Sequence, residues 1–206
     1  MSSTLSAPVI SPERLAAAYS YPAYRQLIDE ALAQGRTTGP QQSPELTEYT
    51  ALNVQRMSRL DKTTKLLPEL AAAAASLKSY YIGLIITEGW CGDAAQIVPV
   101  LEAVAQASAG HLRTAYILRD DNLDVADMYL TNGSRSIPKL VILRADTLTE
   151  VTHWGPRPAE AQALLLKLKA EGMAHDDYIR EIHTWYAHDR TQATQRELLA
   201  LLQGLE

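Results

Sequence analysis

The run YYIGLIIT, residues 80–87, constrains this chain more than any other stretch. It is short, bulky, apolar and uncharged, and Gly89 closes it, so it predicts a buried strand. Such a strand needs covering helices and neighbouring strands, and the sequence after it supplies both. Residues 94–107 predict a helix with Ile97, Val100, Leu101 and Val104 facing inward. Pro99 is expected to kink it, because proline removes a helical hydrogen bond. HLRTAYILR (111–119) predicts a second strand, and Asn122 a cap for a helix ending near NGS (132–134). KLVIL (139–143) and LTEVTHW (148–154) predict two strands joined by a tight turn around ADT (145–147). A helix is expected over 157–172 and one or two more in the tail. The order βαβαββα is an α/β pattern.

Upstream the periodicity is helical. Residues 1–11 are small and polar and read as loose. From 12 to about 33, Leu15, Tyr19, Tyr24, Leu27, Ile28 and Ala31 recur at helical spacing, with a break expected near Pro22. GRTTGPQQSP (35–44) reads as a linker. Ser43 reads as an N-cap with Pro44 at the first helical position. The helix that follows (45–62) is amphipathic, with Leu46, Tyr49, Leu52, Val54, Met57 and Leu60 on its expected inner side. Another (65–79) is alanine-rich, with Pro68 in its first turn. The expected organisation is a helical extension over 1–79, a core over 80–172 and a second helical extension over 173–206. Packing is the expected role of the first.

Composition narrows the function. The chain of 206 residues is 47% apolar and 21% charged, with a net charge of −5. That is globular and not basic, so no nucleic-acid partner is expected. The start, MSSTLSAPVISPERLAAAYSY, lacks a basic segment followed by an apolar one, and no apolar run is long enough to span a bilayer, so neither secretion nor a membrane partner is expected. One cysteine allows no internal disulfide, which favours a reducing, cytoplasmic setting. The five histidines show no close ligand spacing with Cys91, so neither a metal nor a cofactor is expected, and HTWYAH (183–188) reads as helix surface.

Cys91 falls at a strand-to-helix junction. Unpaired N–H groups at a helix start favour an anion such as a thiolate, an effect of ~0.3–1 kcal/mol and ~2 kcal/mol when partly buried. Glu88 and Asp93 oppose it, and Arg135 could offset them. A lone cysteine is most often a small buried hydrophobe; the junction and the preceding Trp90 favour an accessible, functional thiol. SIPK (136–139) opens a strand, and its X-Pro bond is either cis or plain strand entry. WGPRP (154–158) reads as a turn, and as a binding surface only if it lies near Cys91.

Together these stretches resemble the thioredoxin superfamily over about 80–170. Trp90, Cys91 and Gly92 match its W-C-G-P-C motif, with Asp93 in place of the proline and Ala94 in place of the second cysteine. Ile97 and Pro99 resemble its continuation. Ile137-Pro138 matches the I-P dipeptide whose cis proline faces the cysteine, and Gly155 matches a glycine beside the same groove. TEGWCGDAAQ, YILRDDN, YLTNGSRSIPKL and WGPRPA are similar to a bacterial group with W-C-G-D-A, as are RTTGP and LNVQRMSRLDK upstream. The resemblance implies a thioredoxin-like fold, a central mixed sheet flanked by helices, with added helices at both ends. It implies Cys91 as the catalytic residue and Trp90, Gly92, Asp93, Ile137, Pro138 and Gly155 as substrate contacts.

The departures shape the implied function. Ala94 removes the internal resolving thiol, and the family's buried acid and its lysine partner fall at Ile85 and Tyr116. A dithiol reductase is not expected. One expectation is monothiol exchange through Cys91 with a protein or low-molecular-weight disulfide, resolved by an external thiol. The other is a non-catalytic groove that binds a peptide or protein. A thiol oxidised to a sulfenic acid as a sensor ranks below both.

Overall fold

In the computed structural model, which describes residues 8–205, β1 (Tyr81–Thr87) is buried along its whole length. It is an inner strand of a four-stranded sheet of order β2-β1-β3-β4, formed with β2 (Leu112–Leu118), β3 (Lys139–Arg144) and β4 (Glu150–Trp154). β1 runs parallel to β2 and antiparallel to β3, and β3 runs antiparallel to β4. Inner strands covered on both faces read as continuous apolar runs, whereas β4, at an edge, is mostly solvent-facing. The mixed sheet flanked by helices is the fold class expected from the sequence.

The helices are α1 (Pro12–Ala16), α2 (Tyr21–Ala33), α3 (Pro44–Thr63), α4 (Pro68–Ala75), α5 (Gly92–Ala107), α6 (Leu123–Ala126), α7 (Ala159–Ala170), α8 (His175–Asp189) and α9 (Gln192–Gln203). A single 3-10 turn, Asp127–Tyr129, follows α6. α5 packs between the sheet and α3, α4 and α9, so its outer face is covered too. Ala94, Ala95, Gln96, Val98 and Pro99 are therefore buried alongside Ile97, Val100, Leu101 and Val104. α9 is stitched in by polar contacts: buried Gln195 accepts from the Leu67 amide at 2.7 Å, and Glu197 accepts from the Trp154 indole at 2.6 Å and the Ala159 amide at 2.7 Å. The last of these supplies the cap that α7 lacks at its own N-cap position, Pro158.

Several local expectations change. The break before α2 falls at residues 17–20, not at Pro22, which sits in the first turn of α2. The cause is Tyr19, whose amide and carbonyl both bond Tyr116 at 2.9 Å as an antiparallel bridge on the open edge of β2. The buried stripe of α3 is Thr50, Asn53, Met57 and Leu60, while Leu52 is 46% exposed. The spacing is helical, but two of its members are polar. Asn122 occupies the N-cap of α6 without capping it; its amide donates instead to the Leu118 carbonyl at 2.8 Å, and the helical stretch ends at Tyr129, short of NGS. Of residues 1–11, expected to be loose, 1–7 lie outside the described residues, whereas Ile10 is buried and the Val9 amide donates to the Leu148 carbonyl at 3.0 Å. Ser43 does cap α3, accepting from the Leu46 amide at 3.2 Å.

The 35–44 stretch, expected to be a linker, is packed. Thr37 and Thr38 are buried. Thr37 bonds Thr50 on α3 at 2.5 Å. The Thr38 hydroxyl donates to the buried carboxyl of Glu88 and accepts from the Gly89 amide at 2.8 Å. This strap therefore holds the loop between β1 and α5. Thr38→Val keeps the shape and removes both bonds, so it should cost about 1–3 kcal/mol, the penalty for stranding buried polar partners. Urea unfolding of the variant and the parent checks this.

Candidate functional site

The site is built where β1 ends and α5 begins. Cys91 is the N-cap of α5, with extended backbone (φ −77°, ψ 113°). Its Sγ accepts from the Ala94 amide at 3.4 Å, so the thiol performs the task of a capping oxygen. It also donates to the Ile137 carbonyl at 3.2 Å. The position matches the junction expected from the sequence; the accessibility does not. Cys91 is only 7% exposed. Burial first, and then the negative charge of Asp93, push its pKa up to about 12. The Ala94 N–H and Arg157 work in the opposite direction and are outweighed.

Arg157, not Arg135, is the cation beside the thiol. Arg135 pairs with Asp127, Nε to Oδ1 at 2.6 Å. Arg157 lies in the WGPRP segment and reaches Asp93 Oδ2 with Nη2 at 2.5 Å and Nε at 3.1 Å. The second oxygen of Asp93 accepts from the Tyr186 hydroxyl of α8 at 2.7 Å. Glu88 turns away from the thiol toward Thr38 and the Asp120 amide, which donates to it at 3.0 Å. Burial raises its pKa, and these two bonds partly offset the rise.

A cleft of about 850 Å³ opens beside this cluster, walled by Trp90, Cys91, Gly92, Asp93 and Ile137, with α8 contributing Ile179, Ile182 and His183 and α3 contributing Leu46 and Tyr49. Arg119 lies over the Trp90 ring at 4.7 Å. Pro138 and Gly155 are not in the wall. The Ile137-Pro138 bond is cis, as is Gly155-Pro156. Gly155 has φ +112°, and a Cβ there would stand 2.5 Å from the Pro138 carbonyl oxygen, so only glycine fits. Lys139, buried, donates to the Gly155 carbonyl at 2.8 Å and to Thr131 at 2.7 Å, fixing this layer behind Ile137.

Several residues of the site were not singled out by their sequence. Thr38 was hidden by linker composition, and Asn53, whose amide donates to the Gly89 carbonyl at 3.0 Å, by its polarity in an apolar stripe. HTWYAH, expected on a helix surface, turns Tyr186 inward (5% exposed) and sets His183 against Gly92, where a Cβ would meet its Nε2 at 2.7 Å. The signal was present as a helical spacing of Ile179, Ile182 and Tyr186. Ile85 and Tyr116 are paired across β1 and β2 and buried; neither is a cleft residue. Among the described residues, no three His, Cys, Asp or Glu side chains gather as metal ligands, and no helix is long and apolar enough to cross a membrane.

Known proteins resemble this chain in sequence and in fold. The sequence model of the family described as Thioredoxin matches residues 39–175. Thioredoxin 1 of Nostoc sp. is 36% identical over 55 residues, which is 27% of this chain and 49% of that protein. A thioredoxin of Porphyra purpurea is 36% identical over 56 residues, 27% of this chain and 50% of that protein. The chain thus spans about half the length of the curated relatives it matches. A crystal structure of a Pseudomonas aeruginosa protein of unknown function superposes with a TM-score of 0.55 at 16% identity, covering 91% of this chain and 99% of that one. An HIV epitope scaffold superposes at 0.53 and 17% identity, covering 91% and 100%. At these identities the two structures speak for the fold alone.

His183 gives the site a readable titration. Burial, and then Arg56, hold its pKa down to about 4 against a weaker pull from Asp93. The folded state therefore binds fewer protons than the unfolded chain between pH ~6.5 and about 4. The stability linked to this group is present above pH ~6.5 and is lost as the pH falls toward 4. Imidazole NMR should find His183 still neutral at pH 6; a midpoint near 6.5 would contradict the burial.

Proposed function

The chain belongs to the thioredoxin family, and on that premise we propose that it is a monothiol protein whose Cys91 exchanges with a disulfide held in the cleft. The observation that carries this reading is the place of Sγ, at the N-cap of α5 and in the cleft wall. The Cys91 thiolate attacks one sulfur of a protein or low-molecular-weight disulfide and forms a mixed disulfide, expelling the other sulfur as thiolate. Ala94 cannot resolve it, so an external thiol attacks the mixed disulfide, takes the bound sulfur and releases Cys91. Trp90, Gly92, Asp93 and Ile137 line the bound partner; Pro138 and Gly155 set the backbone layer behind Ile137. A reducing, cytoplasmic setting would supply the external thiol, and the W-C-G-D-A pattern marks a bacterial single-cysteine branch of the family. In this reading residues 80–172 carry the chemistry, and 1–79 and 173–206 shape the groove.

In the resting geometry the thiol is protonated, because burial is the largest cause of its raised pKa. Relief of that burial leaves the Ala94 N–H and Arg157 facing the Asp93 charge, which lets the thiolate form. The same burial favours a second reading, a groove that binds a peptide or protein without exchange.

Incubation with glutathione disulfide, followed by intact-mass measurement, separates the two. The parent should acquire one glutathione, about tenfold faster for each pH unit between 7 and 10, since the thiolate fraction sets the rate. Added thiol should remove it, and Cys91→Ser should acquire none. A parent that stays unmodified would favour the binding reading.

A further inference from the structure

The Asp93 side chain does something the motif it belongs to does not explain. It sits in the first turn of α5, next but one to the thiol, and joins three separate parts of the chain. One oxygen takes two bonds from Arg157, 64 residues on; the other takes the Tyr186 hydroxyl from α8, 93 residues on. The pair with Arg157 is largely buried, at 13% and 14% side-chain exposure. Few side chains of α8 are fully buried: of its fifteen residues only Ile182 and Tyr186 are, with Tyr178 and Trp185 partly buried against the core. His183, one turn before Tyr186, closes on Gly92 and approaches Gln96 at 3.4 Å.

We propose that Asp93 is a positioning residue that tethers α8 across the N-terminus of α5, so that release of the Tyr186 bond opens one side of the cleft and uncovers Cys91. This rests on the cleft being the working site, but it concerns access and holds whether the groove exchanges or only binds. An element with few buried side chains is one that opens locally at low cost. Ile179, Ile182 and His183 of α8 line the same cleft as Cys91, so departure of the helix removes that wall as well as a bond from Asp93. Gly92 is what lets His183 sit this close; a Cβ there would stand 2.7 Å from its Nε2.

Tyr186→Phe tests the tether while leaving the Asp93–Arg157 pair intact, which Asp93→Ala would not. Two readouts are taken on the full chain without ligand: amide exchange by mass spectrometry over 175–189 and over β1, and iodoacetamide alkylation of Cys91 at a fixed pH. Loss of one bond to a charged group should accelerate both α8 exchange and alkylation by about tenfold, with β1 exchange unchanged. Unaltered α8 exchange would overturn the proposal. So would equal acceleration in β1, which would make the bond a contributor to global stability only. Neither readout needs a partner, so failure of the glutathione experiment alone would count against exchange and not against the tether.

Discussion

A single carboxylate, that of Asp93, holds the site together. It lies one residue past the glycine that follows Cys91, and its two oxygens collect the turn before α7 and the last turn of α8. The consequences are electrostatic as well as mechanical. The negative charge beside the thiol opposes its ionisation, while the cation drawn in to neutralise it favours ionisation. The balance is struck by burial, the largest cause. An ion pair with so little exposure costs a good deal to break on one side only, because the partner is left uncompensated. That makes the Arg157 half of the junction the firm one and the neutral Tyr186 half the releasable one.

The rest of the fold serves this junction by fixing the loop between β1 and α5. From one side the 35–43 strap presents Thr38 to Glu88 and Gly89. From another, Asn53 of α3 takes the Gly89 carbonyl. Behind the site, Lys139 and the side-chain-free Gly155 set the backbone layer that offers the Ile137 carbonyl to Sγ. Each of these is a buried polar contact whose loss strands a partner, so the loop has little freedom and the thiol is held in one place.

How much of this was legible follows from how local each feature is. Where β1 ends and α5 begins was readable, because an apolar run gives way within a few residues to helical spacing, and Cys91 stands at the change. The hairpin of β3 and β4 was readable for the same reason. Tyr19 was not, since its helical spacing is genuine and only the edge of β2, nearly a hundred residues away, pulls it into an extended bridge. Thr37 and Thr38 were not, since Gly, Pro and polar residues mark irregular backbone without telling whether that backbone is covered. The burial of Cys91 was not, because the Ile137 layer it bonds and the α8 wall of its cleft are written far downstream. Asp93 could be seen to differ from the family's proline, but its partners could be found only in the folded chain.

The central claim is that Cys91 rests as a protonated, buried thiol in the wall of the cleft. The alkylation rate of Cys91 in the unaltered protein, followed against pH, tests it most directly, and with one cysteine in the chain the signal has one source. The account predicts a midpoint far above the free-thiol value, at about 12. A midpoint at or below ~8.5, the value of an unhindered thiol, would mean an exposed and activated thiolate and would contradict it.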